Sequence, residues 1–149
     1  MASTAYAGEL TAEEQRAFDA VNAMRAKVGL PALAFSPELS EASRAWSVRM
    51  RSTGRLFHGA SYENCAAGHT CGVTTVRQWS NSSAHRALLL SRSATEMGVG
   101  NDGKYWTLRM RVRERESVTA SAPVVRQEYT SAKPCKRPLH RYLKRLLCR

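Results

Sequence analysis

Apolar residues Ala17, Val21, Met24 and Val28 recur at helical spacing behind Thr11 and Glu14, with Phe18 beside them. Thr11 and Glu14 form a capping box, in which hydroxyl and carboxylate satisfy the orphan N–H groups of a first turn. Gly29 and Pro31 then end the helix. Ser36-Pro37-Glu38 repeats the start signal with a serine cap, proline at the first helical position and an acid near the positive end of the dipole. Leu39, Ala42, Trp46 and Met50 mark the apolar face of this second helix, and Gly54 closes it. From Arg55 to Gly72 no period is sustained, so the segment reads as a loop, and such loops between firm helices carry function. Val73, Val76 and Trp79 predict a short third helix, and Ser83 to Leu90 a fourth, capped by Ser82 or Ser83. Residues 96–100 and 105–110 flank Asn101-Asp102-Gly103-Lys104, the pattern of a β-hairpin whose Asp-Gly supplies positive φ. Helices first and strands after point to an α+β fold, with helices covering an antiparallel sheet. After Arg111 the pattern decays. Residues 111–116 could extend the strand, and Pro138 to Cys148 suits a short basic amphipathic helix.

Composition sharpens this picture. The 149 residues suffice for one core. No run of 18 or more apolar residues occurs, which argues against a membrane-spanning helix. The formal net charge of +11 is unevenly spread. Residues 1–110 carry twelve Lys/Arg against nine Asp/Glu, whereas residues 111–149 carry eleven against three. The body is nearly balanced and the tail holds +8, so specific nucleic-acid binding by the domain is not expected. The tail alone suits an anionic surface or polymer. The chain divides into a lead-in at 1–10, a domain at 11–112 and a basic, partly disordered tail at 113–149.

The four cysteines fall into two near-neighbour pairs, Cys65/Cys71 and Cys135/Cys148, as two short-loop disulfides of an oxidising compartment would. A reduced reading stays open, and so does a metal role for Cys65, His69 and Cys71 together. Ala5-Tyr6-Ala7 has the form of a signal-peptidase site, but no charged or apolar leader precedes it here. Ser82 and Ser83 lie near His85 without a nucleophile elbow around them, and capping explains them better. Gly98 and Gly100 sit in a strand and make no phosphate loop.

Chemistry-bearing residues gather in three groups: Leu56-Phe57-His58-Gly59 with Tyr62-Glu63-Asn64, then Trp79 to Leu90 around His85-Arg86, then Glu96 to Gly100 leading to Tyr105-Trp106. Together with Asn22-Ala-Met-Arg25 and Gly29-Leu30, they stand in the order found in bacterial members of the CAP superfamily. This chain resembles those cysteine-rich secretory, antigen 5 and pathogenesis-related proteins, which share the SCP domain, over residues 12 to 112. The resemblance implies an α-β-α sandwich, a secreted or periplasmic location and a cleft around two histidines and one or two glutamates. Carried over by position, these are His58, His85 and Glu63. The second glutamate of larger members has no counterpart, because residues 73–82 contain no Asp or Glu.

Two facing imidazoles suit a borderline cation such as zinc. Glu63 could complete the shell, orient an imidazole or activate water. The alternative is structural, with all three residues pinning the loop. No His-Glu-x-x-His is present. The expectation is therefore a secreted module whose cleft binds a divalent metal, a small apolar ligand or a lipid, without catalysis. One competing reading is a metal-assisted peptide or ester hydrolase with Glu63 as base. Another is a polyanion binder acting through the tail.

Overall fold

The structure, a computed structural model, describes residues 8–112. Helix α1 (Ala12–Lys27) starts on the expected capping box: Glu14 N–H donates to Thr11 Oγ1, and Thr11 N–H donates to the Glu14 carboxylate at 2.8 Å. Helix α2 (Pro37–Thr53) is capped by Ser36 and ends on Gly54 at φ +65°. Strand β1 (Ala34–Phe35) lies between them, and β2 (Glu63–Ala67), α3 (Gly72–Ser80), α4 (Ser83–Leu89), β3 (Glu96–Asp102) and β4 (Tyr105–Arg111) follow. Ser82 is the residue at the start of α4, without a side-chain capping bond. The hairpin turns at Gly103, φ +59°, with Asp102 paired to Tyr105.

The sheet order is β1-β3-β4-β2. The expected all-antiparallel sheet is instead mixed, because β1 pairs parallel to β3 through Ala34↔Glu96 and Phe35↔Met97. Alternation along the strands sorts their side chains into two layers. Met97, Val99, Trp106, Leu108, Met110 and Ala66 join Ala17 and Val21 of α1 and Val76 and Trp79 of α3 in one core. On the opposite face, Met50 of α2 meets Cys65 and Tyr105. The α-β-α sandwich is thus present, with α2 alone on one side among the described residues.

Two positions depart from the sequence reading for clear physical reasons. First, the face that α2 lays on the sheet is Ser40, Ser43 and Ser47 with Met50, while Leu39, Ala42 and Trp46 are only half-buried. The serines replace apolar contact with hydrogen bonds: Ser40 Oγ accepts from Val99 N–H, Ser43 Oγ donates to Gly98 O, and Ser47 Oγ donates to Gly100 O. The helix comes so close that a Cβ on Gly98 would stand 2.2 Å from Ser40 N, and one on Gly100 2.3 Å from Arg44 N. Second, the 55–72 segment is not wholly loop. It contains β2, which pairs antiparallel with β4 from Glu63↔Arg109 to Ala67↔Tyr105.

The Asn22-x-x-Arg25 motif holds the chain that leads out of α1. Asn22 exchanges two hydrogen bonds with the backbone of Leu33. Arg25 is fully buried and donates to Pro31 O, Leu89 O and Ser91 O, tying α1 to the end of α4.

Candidate functional site

Strand β2 is the sheet's edge among the described residues, and the candidate site is built along it. Glu63 and Cys65 are two positions apart, so both point to the α2 face. Asn64 points the other way and donates to His85 O at 3.0 Å, which fastens α4 against the edge. The loop from α2 returns His58 to the same place. His58 and His85 therefore approach from opposite sides of β2, with ring centroids 6.4 Å apart and planes tilted by 42°.

Glu63 has a side chain with no exposure and a full set of partners. Its Oε2 accepts from Arg109 Nε at 2.8 Å, and its Oε1 accepts from Gly59 N–H at 2.8 Å and from the Cys65 thiol at 3.2 Å. His58 Nδ1 lies 3.4 Å from Oε1, on a side chain 55% exposed. Gly59 has room for nothing larger: a Cβ there would sit 2.5 Å from the Trp46 ring. Trp46 donates to Phe57 O and packs edge-on against Phe57, while the guanidinium carbons of Arg49 and Arg109 lie 5.2 and 5.6 Å from its ring centre. Burial pushes the His85 pKa down, and the neighbouring His58 adds to the shift. Burial pushes the Cys65 thiol strongly up, with the Glu63 charge reinforcing it.

Of the sequence-derived site residues, His58 stands 3.4 Å from Glu63, and its ring centre lies 6.4 Å from that of His85. Two imidazoles on one tetrahedral zinc place their ring centres about 5 Å apart. The observed separation is wider, 6.4 Å, and His58 is the exposed ring of the two. No Asp or Glu occupies the α3 position that would supply a second carboxylate.

The expected Cys65–Cys71 disulfide does not form. Cys65 is a free, buried thiol. Cys65 faces α2, whereas Cys71 heads α3 in the opposite layer, so six residues of separation conceal the sheet between them. This also removes the Cys65–His69–Cys71 grouping. His69 contributes its carbonyl, which accepts from Trp106 Nε1 at 2.7 Å. The Cys135–Cys148 pair and the basic tail lie outside the described residues. Sequence reasoning missed Arg109, which faces Glu63 only once the β2–β4 register is known, and the Cys65 thiol, masked by its assignment to a disulfide.

Comparison with known proteins agrees with this architecture. An uncharacterized protein of Bacillus subtilis, YkwD, is 30% identical over 126 residues, which is 70% of this chain and 49% of that protein. An uncharacterized membrane protein of the same organism, YlbC, is 28% identical over 116 residues, covering 65% of this chain and 34% of the relative. This chain therefore spans about half or less of the curated relatives it matches. An extracellular protein containing a SCP domain from Bacillus anthracis superposes with a TM-score of 0.64 at 26% identity, over 73% of this chain and 46% of that one. The profile of the cysteine-rich secretory protein family matches residues 18–105, from within α1 to the first residue of β4, and the chain belongs to this CAP family.

Proposed function

We propose that this domain is an extracellular, non-catalytic module whose cleft at the β2 edge holds a divalent cation between His58 and His85. The observation that carries this reading is the convergence of the two imidazoles from opposite layers, 6.4 Å apart. The lowered pKa of His85 favours the neutral ring that a metal requires. Glu63 stands beside them with both oxygens already accepting hydrogen bonds, and this argues against its service as a general base. The loop bearing His58 also leaves Leu56 and Tyr62 exposed, apolar surface for a ligand that is not purely ionic. The extracellular setting is supported by the description of the Bacillus anthracis relative as an extracellular protein. The tail's charge of +8 keeps anionic surfaces as a second partner class for the whole chain.

Titration of the metal-free protein with Zn²⁺ tests the proposal. His58→Ala and His85→Ala should each weaken binding by tenfold or more, on the order seen when even the groups supporting a ligand are removed. Equal affinity in all three proteins overturns it.

A further inference from the structure

We propose that Cys65 is itself a metal donor, forming with His58 and Glu63 a nitrogen–oxygen–sulfur set for a thiophilic divalent cation such as Zn²⁺. The inference rests on the cleft reading above and specifies the chemistry of the ion. One donor atom from each of the three residues lies within 4.8 Å of the others. Two of the three edges are tighter: Cys65 Sγ to Glu63 Oε1 is 3.2 Å, and His58 Nδ1 to the same oxygen is 3.4 Å. A tetrahedral zinc with one sulfur and two lighter donors has donor–donor edges of about 3.3 to 3.5 Å. Both edges at Glu63 therefore already stand near ligand spacing, and Glu63 and Cys65 need no movement of the strand that carries them.

The surroundings suit the same role. Glu63 Oε2 is held by Arg109 and Oε1 by Gly59 N–H, the outer hydrogen bonds that orient a ligating carboxylate. The second lone pair of Oε1 accepts from the Cys65 thiol and is freed when that proton leaves. On binding, the Cys65 S–H bond breaks, its proton leaves to solvent and the sulfur lone pair forms the bond to the metal. Thiolate and carboxylate then offset the two charges of the ion. His58 is the solvent-facing member, with Glu63 and Cys65 beneath it, so the cation enters past a ring that can swing. A sulfur donor selects Zn²⁺, Cd²⁺ and Co²⁺ over Mg²⁺ and Ca²⁺, which prefer all-oxygen shells.

The test uses the full chain, and Co²⁺ and Zn²⁺ alone as probes. Co²⁺ should produce a sulfur-to-cobalt charge-transfer band that vanishes in Cys65→Ser, and the same variant should bind Zn²⁺ about tenfold or more weakly. Excess Mg²⁺ should not displace either ion. A band that persists in Cys65→Ser, or Zn²⁺ affinity unchanged by it, overturns the proposal and leaves Cys65 as a hydrogen-bond donor to Glu63. The His58/His85 reading survives that result if its own variants lose affinity. If the unmodified protein takes up no Zn²⁺, both readings fail. Should Cys65→Ser not fold, protection of Cys65 from alkylation by Zn²⁺, read by mass spectrometry, decides the matter: protection supports the proposal and its absence overturns it.

Discussion

At the scale of single residues, the site depends on a carboxylate that cannot be neutralised cheaply. Glu63 has no exposed side-chain surface and Arg109 is only 17% exposed, so Glu63→Gln strands a guanidinium against a neutral amide. We expect a loss of about 3 kcal/mol, seen as a lower urea midpoint at unchanged slope. Replacing both partners by leucine should cost less than the single change, because no unpaired charge remains. His85 makes a second residue-level prediction through pH. Its folded-state pKa is depressed from 6.5 by burial and by His58, so the unfolded chain takes the proton more readily. Its contribution to stability is complete above about pH 6.5 and falls as the pH drops below that value toward the lower folded pKa. Melting temperatures from pH 7.5 to 5.5 should therefore decline less steeply in His85→Gln than in the parent. Parallel slopes would remove the burial argument.

At the scale of elements, α2 packs backbone-close against β3. Gly98→Ala drives a methyl into the Ser40 backbone, where no flexible side chain can yield, and should cost about 3 kcal/mol or more. Ser43→Ala loses one buried hydrogen bond to Gly98 O and should cost about 1 kcal/mol, so thermal unfolding should rank the two clearly. The same contact shows which parts of the fold were legible beforehand. Capping residues and the hairpin glycine act locally, so Thr11, Ser36, Gly54 and Gly103 mark their elements without tertiary context. The serine face of α2 was not legible, because it looks polar until glycines on a facing strand let its hydroxyls reach carbonyls. Strand β2 was missed for a related reason. Its Glu63 and Asn64 are buried polar residues whose partners, Arg109 and the His85 carbonyl, come from 46 and 21 residues away. The cysteine pairing failed because nearness along the chain does not say on which side of a sheet a side chain lies.

At the scale of the molecule, Glu14 is the point where the two helical layers meet. Strand β1 is only two residues long, so β3 has no neighbour on that side at Asn101, and α1 and α2 approach one another there. Glu14 on α1 is fully buried. It accepts from Arg44 Nε of α2 at 2.9 Å, from Asn101 N–H of β3 at 3.1 Å and from Thr11 N–H of its own cap. Burial alone would raise its pKa from 4.5, but the bonds from Arg44, Thr11 and Asn101 outweigh it and hold the value lower. The unfolded chain therefore binds this proton first. The stability that Glu14 provides is present above about pH 4.5 and is lost as the pH falls through the folded-state value. Because one carboxylate joins both layers and the sheet, its protonation should loosen the whole sandwich and not merely fray α1. Urea midpoints for the parent protein should drop between pH 6 and pH 3. Glu14→Gln should begin lower at pH 6 and show a shallower decline, since it has already lost the charge on which three elements converge. If near-ultraviolet circular dichroism of Trp79 and Trp106 in the core survives at pH 3 while helical signal is lost, the junction confines its effect to α1, and this account of Glu14 is wrong.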